Sequence, residues 1–299
     1  MKQAFIKLHI SILLAGFTGV FGKIITLNEG LLVWYRMLIA SVVIGIVLLI
    51  SSRYSSPLKG SNHSLLLPFR GTGGFLFLVG SLLALHWVFF FGSIKASNVS
   101  IGVICFSLTG FFTAILEPLM NHRRISFREL TFSMITLVGI LLIFHFDIRY
   151  RTGILLGIVS SLLAALFTIT NKQAGNKYPS SVMLLYEMTG GFLLLTLLMP
   201  LYLHFFPVET ILPDTQDFVY LLIFAVFCTV LLYLLQIDVL KQISAFTVNL
   251  SYNLEPVYSI VIAILFLGEA KELNFSFYIG LAFIILSVVL QTWNVWRFR

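Results

Sequence analysis

Ionisable side chains stand inside long apolar stretches of this 299-residue chain: Lys23, Arg36, His86, Glu117, His145, Lys172, Glu187, Asp238 and Glu255. A charge at such a position costs about 2.5–3.5 kcal/mol on insertion scales unless it is paired or hydrated, so each is a candidate for binding, coupling or gating. His86 and Trp87 precede three phenylalanines and could offer a proton site or a hydrogen bond beside an aromatic wall; a satisfied core histidine explains His86 equally well. In the stretch "NLSYNLEP", Asn249, Tyr252, Asn253 and Pro256 recur at steps of three or four, which on a helix makes one polar face. Pro256 removes a backbone donor and frees a carbonyl one turn back, near Tyr252. That face suits a cavity lining, or hydrogen bonding between helices. Glu255 lies off the line by roughly half a turn; it could carry a proton or contact a neighbouring helix.

The remaining groups also carry two readings. Arg36 and Glu187 either anchor neighbouring helix ends or meet a substrate. Lys23 and Lys172 either snorkel to the interface or act as gate charges that pair with an acid in one state. Glu117, before Pro118, would cap a helix or pair with Arg123 or Arg124, while Gln236 and Asp238 would line one mouth. Asn98, Trp87, Tyr233 and Tyr252 complete a set of candidate cavity walls with His86, Asn249 and Asn253. No P-loop, G-x-S-x-G or H-E-x-x-H pattern occurs, which argues against ATP coupling and these hydrolytic chemistries in this chain. Cys105 and Cys228 sit in apolar runs and read as small core residues rather than a disulfide or metal pair. No cofactor or metal is expected, and the chain is not read as an enzyme.

The elements that must position these groups follow from composition. The chain is 59% hydrophobic and 10% charged, whereas a soluble domain is about half apolar and a quarter charged. Lipid is the matching solvent. A helix needs about 20 apolar residues to cross a bilayer, and ten runs qualify: 6–27, 30–51, 71–93, 97–119, 128–146, 152–173, 180–203, 216–238, 243–267 and 274–296. They are continuously apolar, so they predict helices and not the alternating strands of a barrel. The first run is long and lacks a small-residue cleavage site, so it reads as a retained helix.

The net charge of +7 does not imply nucleic acid, because the basic residues occupy short connections between runs. With both termini in the cytoplasm, Lys2, Lys7, Arg53, Lys59, Arg70, Arg123, Arg124, Arg128, Lys172, Lys177, Lys241, Arg297 and Arg299 fall inside. Lys95, Arg149, Arg151 and Lys271 fall outside, as the positive-inside rule prefers.

The two halves echo each other at an offset near 150 residues. "VFGK", ending at Lys23, matches "TITNK", ending at Lys172. "WYRML" (34–38) matches "LYEMT" (185–189), and "AILEPLMNHRRIS" (114–126) matches "AILFLGEAKELN" (263–274). A repeat of five helices is odd, so the second copy must enter the membrane upside down. The predicted fold is therefore an all-α integral membrane protein of ten transmembrane helices in two inverted five-helix repeats, residues 1–147 and 148–299.

These features resemble the drug/metabolite transporter superfamily, in particular its EamA-like members. The resemblance rests on Lys23 and Lys172 closing the first and sixth helices, on "WYRMLIA" and "SIKASNVSIGV" (93–103), and on "EPVYSIVIAILFLGE" (255–269) and "YIGLAFIILSVVL" (278–290). One departure is "MNHRRIS" (120–126), where the family usually has Gly-Glu-Arg. The resemblance implies a secondary permease in the bacterial inner membrane, often an exporter of amino acids or other metabolites, with its cavity between the halves. Its expected partners are a small-molecule substrate, membrane lipid and protons; the oligomeric state is open. A non-transporting membrane scaffold or sensor is the other reading.

Overall fold

A computed structural model describes residues 2–54, 73–144, 150–175, 178–267 and 275–297. His145 and the "GEAKE" connection (268–272) lie outside the described residues. Among the described residues every element is helical. That follows from lipid as solvent: each backbone donor and acceptor must be satisfied within its own segment.

Eight stretches of 22 to 26 residues are long and apolar enough to cross a membrane. Four are unbroken helices: α3 (Glu29–Tyr54), α4 (Gly74–Ala96), α8 (Arg151–Ala174) and α9 (Ser180–Phe205). The other four contain an interruption. The first is split at Phe17 into α1 (Lys2–Gly16) and α2 (Thr18–Ile24). The second is split at Ser107 into α5 (Val99–Phe106) and α6 (Leu108–Met120). The third joins α10 (Thr215–Ala225) to α11 (Leu232–Leu240) through a π-helical segment, Val226–Leu231. The fourth joins α12 (Ala245–Ser251) to α13 (Glu255–Leu267) through a 3-10 turn, Tyr252–Leu254. Two further helices, α7 (Phe127–Phe144) and α14 (Phe275–Arg297), pack on each other. There Thr136 donates to Ser287 at 3.0 Å and Ser287 to the Phe132 carbonyl at 2.7 Å.

The direction of the helices can be read from polar contacts at the two ends of the bundle. At one end, the Thr26 N–H and hydroxyl donate to the Asp217 carboxylate at 3.0 and 2.8 Å, and Tyr202 donates to Glu29 at 2.7 Å. Lys95 Nζ reaches the carbonyls of Ile25 (3.1 Å) and Leu27 (2.5 Å) at the same end. At the other end, Lys7 pairs with Asp238 at 2.5 Å, and Ser180 also donates to Asp238. The α1–α2 pair runs from the Asp238 end to the Asp217 end. α8 runs the opposite way: its Gly153 carbonyl accepts from Ser93, two residues before Lys95, at 2.7 Å. Its last turn carries Lys172, which binds the carbonyl of Leu240, two residues from Asp238, at 3.0 Å. α3 and α9 are likewise opposed, since Glu29 opens α3 and faces the last turns of α9.

α4 lies against both α8 and α9. Its approach to α9 is backbone on backbone: a Cβ at Gly80 would land on the Glu187 carbonyl, and one at Gly190 would come within 2.6 Å of Phe77 Cα. With lipid outside, helices gain little from apolar burial and associate through close van der Waals fit, which small residues permit.

Candidate functional site

A cavity with about 530 Å³ of open space, the solvent at its opening included, lies within the bundle. It is framed by the first span (Ala15, Thr18), α3 (Arg36), α4 (His86, Trp87) and α8 (Phe167, Thr168). α11 (Tyr233, Gln236) and the α12–α13 break (Asn249, Tyr252, Glu255) close it. Both chain halves contribute.

Arg36 is the anchor of this cavity, buried with 1% exposure. Its guanidinium lies between two rings, 3.6 Å from the Trp87 centroid and 4.0 Å from that of Phe224. Nε donates to Thr229 Oγ1 at 2.6 Å and Nη2 to the Cys228 carbonyl at 2.7 Å. The π segment explains why that carbonyl is available. The Leu232 N–H, which in an α-helix would bond Cys228, goes to Phe227 and Thr229 instead. Nη1 is buried and has no partner in the protein.

Around Arg36 the remaining groups are held by short bonds. His86 Nδ1 lies 3.0 Å from the Ser160 carbonyl and 2.8 Å from its hydroxyl. That leaves Nε2 as the ring nitrogen without a protein partner. Trp87 Nε1 donates to Tyr233 Oη at 3.0 Å, and the two rings meet edge to face at 5.3 Å. Tyr252 donates to Ser11 at 3.0 Å, and Asn249 Nδ2 to Thr113 at 2.8 Å. Glu255 is 3% exposed, yet no ion pair within 4 Å joins it to Arg36. A buried cation and a buried carboxyl thus face one cavity without a direct ion pair between them.

Of the residues singled out from sequence, the cavity gathers His86, Trp87, Tyr233, Asn249, Tyr252, Arg36 and Glu255. It does not gather Asn98, Asn253, Lys23, Lys172 or Glu187. Asn98 is the N-cap of α5, accepting from the Ile101 N–H at 2.9 Å. Asn253 turns toward α7 and donates to Thr136 at 3.3 Å. The expected polar face of Asn249, Tyr252, Asn253 and Pro256 is therefore divided. The 3-10 turn at Tyr252–Leu254 is the cause: three residues per turn eclipse positions i and i+3, so Asn249, Tyr252 and Glu255 share a face instead. Glu187, fully buried, accepts from Asn171 Nδ2 at 2.9 Å between α8 and α9. Lys23 is exposed, and Lys172 binds backbone carbonyls rather than an acid. Glu117 accepts from the Phe246 N–H of α12 at 2.9 Å, a capping role across helices. Cys105 and Cys228 are buried and free.

Sequence reasoning overlooked Thr18 and Thr168 at the cavity, Phe224 against Arg36, and Lys95 and Asp217 at one end of the bundle. A small hydroxyl in an apolar run carries no distinguishing signal. Lys95 carried one: it closes α4 three residues before the Asn98 cap.

Comparison with known proteins agrees with this architecture. The model of the EamA-like transporter family matches the chain twice, over residues 4–145 and 151–293. Uncharacterized transporter YxxF of Bacillus subtilis (strain 168) is 24% identical over 278 residues, covering 91% of this chain and 84% of the relative. A protein known from a crystal structure superposes with a TM-score of 0.72 over 98% of each chain at 15% identity, a likeness of fold. Apolar spans and two copies of the family pattern, one on each side of a shared polar cavity, lead to one conclusion: the chain belongs to the EamA-like transporter family, multi-pass membrane permeases of the drug/metabolite transporter superfamily.

Proposed function

We propose that this protein is a secondary permease of the bacterial inner membrane that exports small organic metabolites, amino acids among them, by alternating access. Ten spans form two inverted five-helix repeats, residues 1–147 and 148–299, with α7 and α14 as the fifth member of each. Both termini face the cytoplasm, as the Lys and Arg distribution favours. The halves rock about the central cavity, exposing it to each side in turn.

One observation carries the substrate reading. Arg36 and Glu255 face the same buried cavity and do not pair with each other. A ligand that brings both an anionic and a cationic group would satisfy both, which supports a zwitterion such as an amino acid. Trp87, Phe167 and Tyr233 offer an apolar wall for the rest of the molecule. Glu255 is the candidate proton carrier for coupling.

The test is counterflow in proteoliposomes loaded with an amino-acid panel and external radiolabelled counterparts. Accumulation of amino acids, but not of the matching amines or deaminated acids, is the expected result. Uptake of the single-charge analogues alone would reject the zwitterion reading. No movement of any solute across a broad metabolite panel would favour a non-transporting scaffold or sensor.

A further inference from the structure

The two ends of the bundle carry matching polar ties, and one of them is missing. The end of α4 reads Ile94-Lys95-Ala96-Ser97-Asn98, and that of α11 reads Leu240-Lys241-Gln242-Ile243-Ser244. The correspondence is structural as well. Asn98 and Ser244 each cap the helix that follows, accepting from the N–H three residues on. Lys95 donates to the Leu27 carbonyl after α2, and Lys241 to the Tyr178 carbonyl after α8 at 2.8 Å. These two ties are equivalent, one at each end.

A second kind of tie exists at one end only. Lys172, closing α8, places Nζ 3.0 Å from the Leu240 carbonyl and 2.5 Å from the Ile243 carbonyl. It thereby fastens the turn between α11 and α12, where the last carbonyls of a helix attract a cation. The counterpart carbonyls at the other end are those of Ile94 and Ser97, and the counterpart lysine is Lys23. Lys23 follows Gly22 in α2, and Gly19 and Gly22 both lie against the Ile94 side chain. Yet Lys23 is exposed and donates no hydrogen bond among the described residues.

We propose that Lys23 and Lys172 are alternating latches of the two cavity mouths. Lys172 holds the α11–α12 turn closed in the state described here. Lys23 takes the equivalent carbonyls of Ile94 and Ser97 when the opposite mouth closes. This rests on the alternating-access reading. Neither lysine needs an acidic partner; each uses carbonyls at a helix end, whose second lone pair remains open to a donor.

The test uses vesicles carrying the full chain with Cys105→Ala, Cys228→Ala and Gln236→Cys, so that one cysteine lines the cavity. A membrane-impermeant maleimide is added to either face. Lys172→Met is expected to speed labelling from the Lys172 face by about fivefold or more, the lower bound of a typical coupling between sites. Lys172→Arg, which keeps the cation, is expected to label like the parent. Adding Lys23→Met to Lys172→Met is expected to return labelling toward the parent rate, because the opposite latch is then lost as well. Unchanged labelling in Lys172→Met, or a gain that persists in the double variant, overturns the proposal. If Lys172→Met does not fold, a double variant that folds and still labels fast overturns it, and one that labels at the parent rate upholds it. No substrate is needed, so latching without solute movement would sink the transport reading alone.

Discussion

Replacing Arg36 by methionine separates a residue kept for the fold from one kept for the ligand. Its two hydrogen bonds, to Thr229 and the Cys228 carbonyl, contribute about 0.6–1.7 kcal/mol each by the standard of polar contacts inside membranes. Its stacking on Trp87 and Phe224 adds about 0.5–2 kcal/mol for each ring. Against these stands the cost of holding a guanidinium at membrane depth, about 2.5–3.5 kcal/mol on insertion scales. The favourable sum, about 2–7 kcal/mol, offsets or exceeds that cost, and methionine fills a similar volume between the same rings. Arg36→Met is therefore expected to lower unfolding free energy by no more than about 5 kcal/mol. Thermal unfolding of the purified protein in detergent checks that figure. Counterflow should respond very differently, falling at least about a hundredfold if a substrate carboxylate loses a bond to a buried cation worth about 3 kcal/mol or more. Arg36→Lys keeps the charge but not the planar fork, so it should retain stability and recover transport only in part. A variant that transports normally with methionine would refute the reasoning. So would one in which both methionine and lysine abolish folding, since Arg36 would then be structural.

Three further outcomes are expected. Gly80→Leu should prevent stable assembly of α4 on α9, because its side chain would meet the Glu187 backbone, and overpacking of this kind costs about 1–3 kcal/mol or more; a lower yield of monodisperse protein than for a lipid-facing control such as Leu78→Ala checks it. Asn253→Leu should lower thermal stability by about 1 kcal/mol through loss of the Thr136 bond while leaving substrate affinity unaltered; a changed apparent affinity in counterflow would return Asn253 to the cavity. Glu255→Gln, which also loses the carboxylate that would meet a substrate's cationic group, should transport more slowly and with a flattened pH dependence; a variant keeping the parental pH profile would remove Glu255 as the proton carrier.

Much of the architecture was legible in the sequence because lipid leaves few choices. Runs of about 20 apolar residues have to be helices, and the echo between the halves matches the two copies of the family pattern. The candidate site was legible in kind: Arg36, His86, Trp87, Tyr233, Asn249, Tyr252 and Glu255 stood out as polar or aromatic groups in apolar surroundings, and all meet in one cavity. Their partners were not legible. The facing of a side chain follows from helical phase, and local breaks reset that phase. A 3-10 turn at Tyr252–Leu254 moved Glu255 onto the face of Asn249 and sent Asn253 to α7. A π segment at Val226–Leu231 released the Cys228 carbonyl that holds Arg36. Both breaks meet partners 100 or more residues away, Arg36 at the π segment and Thr136 beside the 3-10 turn. Sequence by itself thus determined the solvent, the helices, the repeat and the chemical content of the site. Only tertiary structure decided which of those groups face the cavity and which tie its ends, because helix phase and cross-helix contacts are properties of the packed bundle.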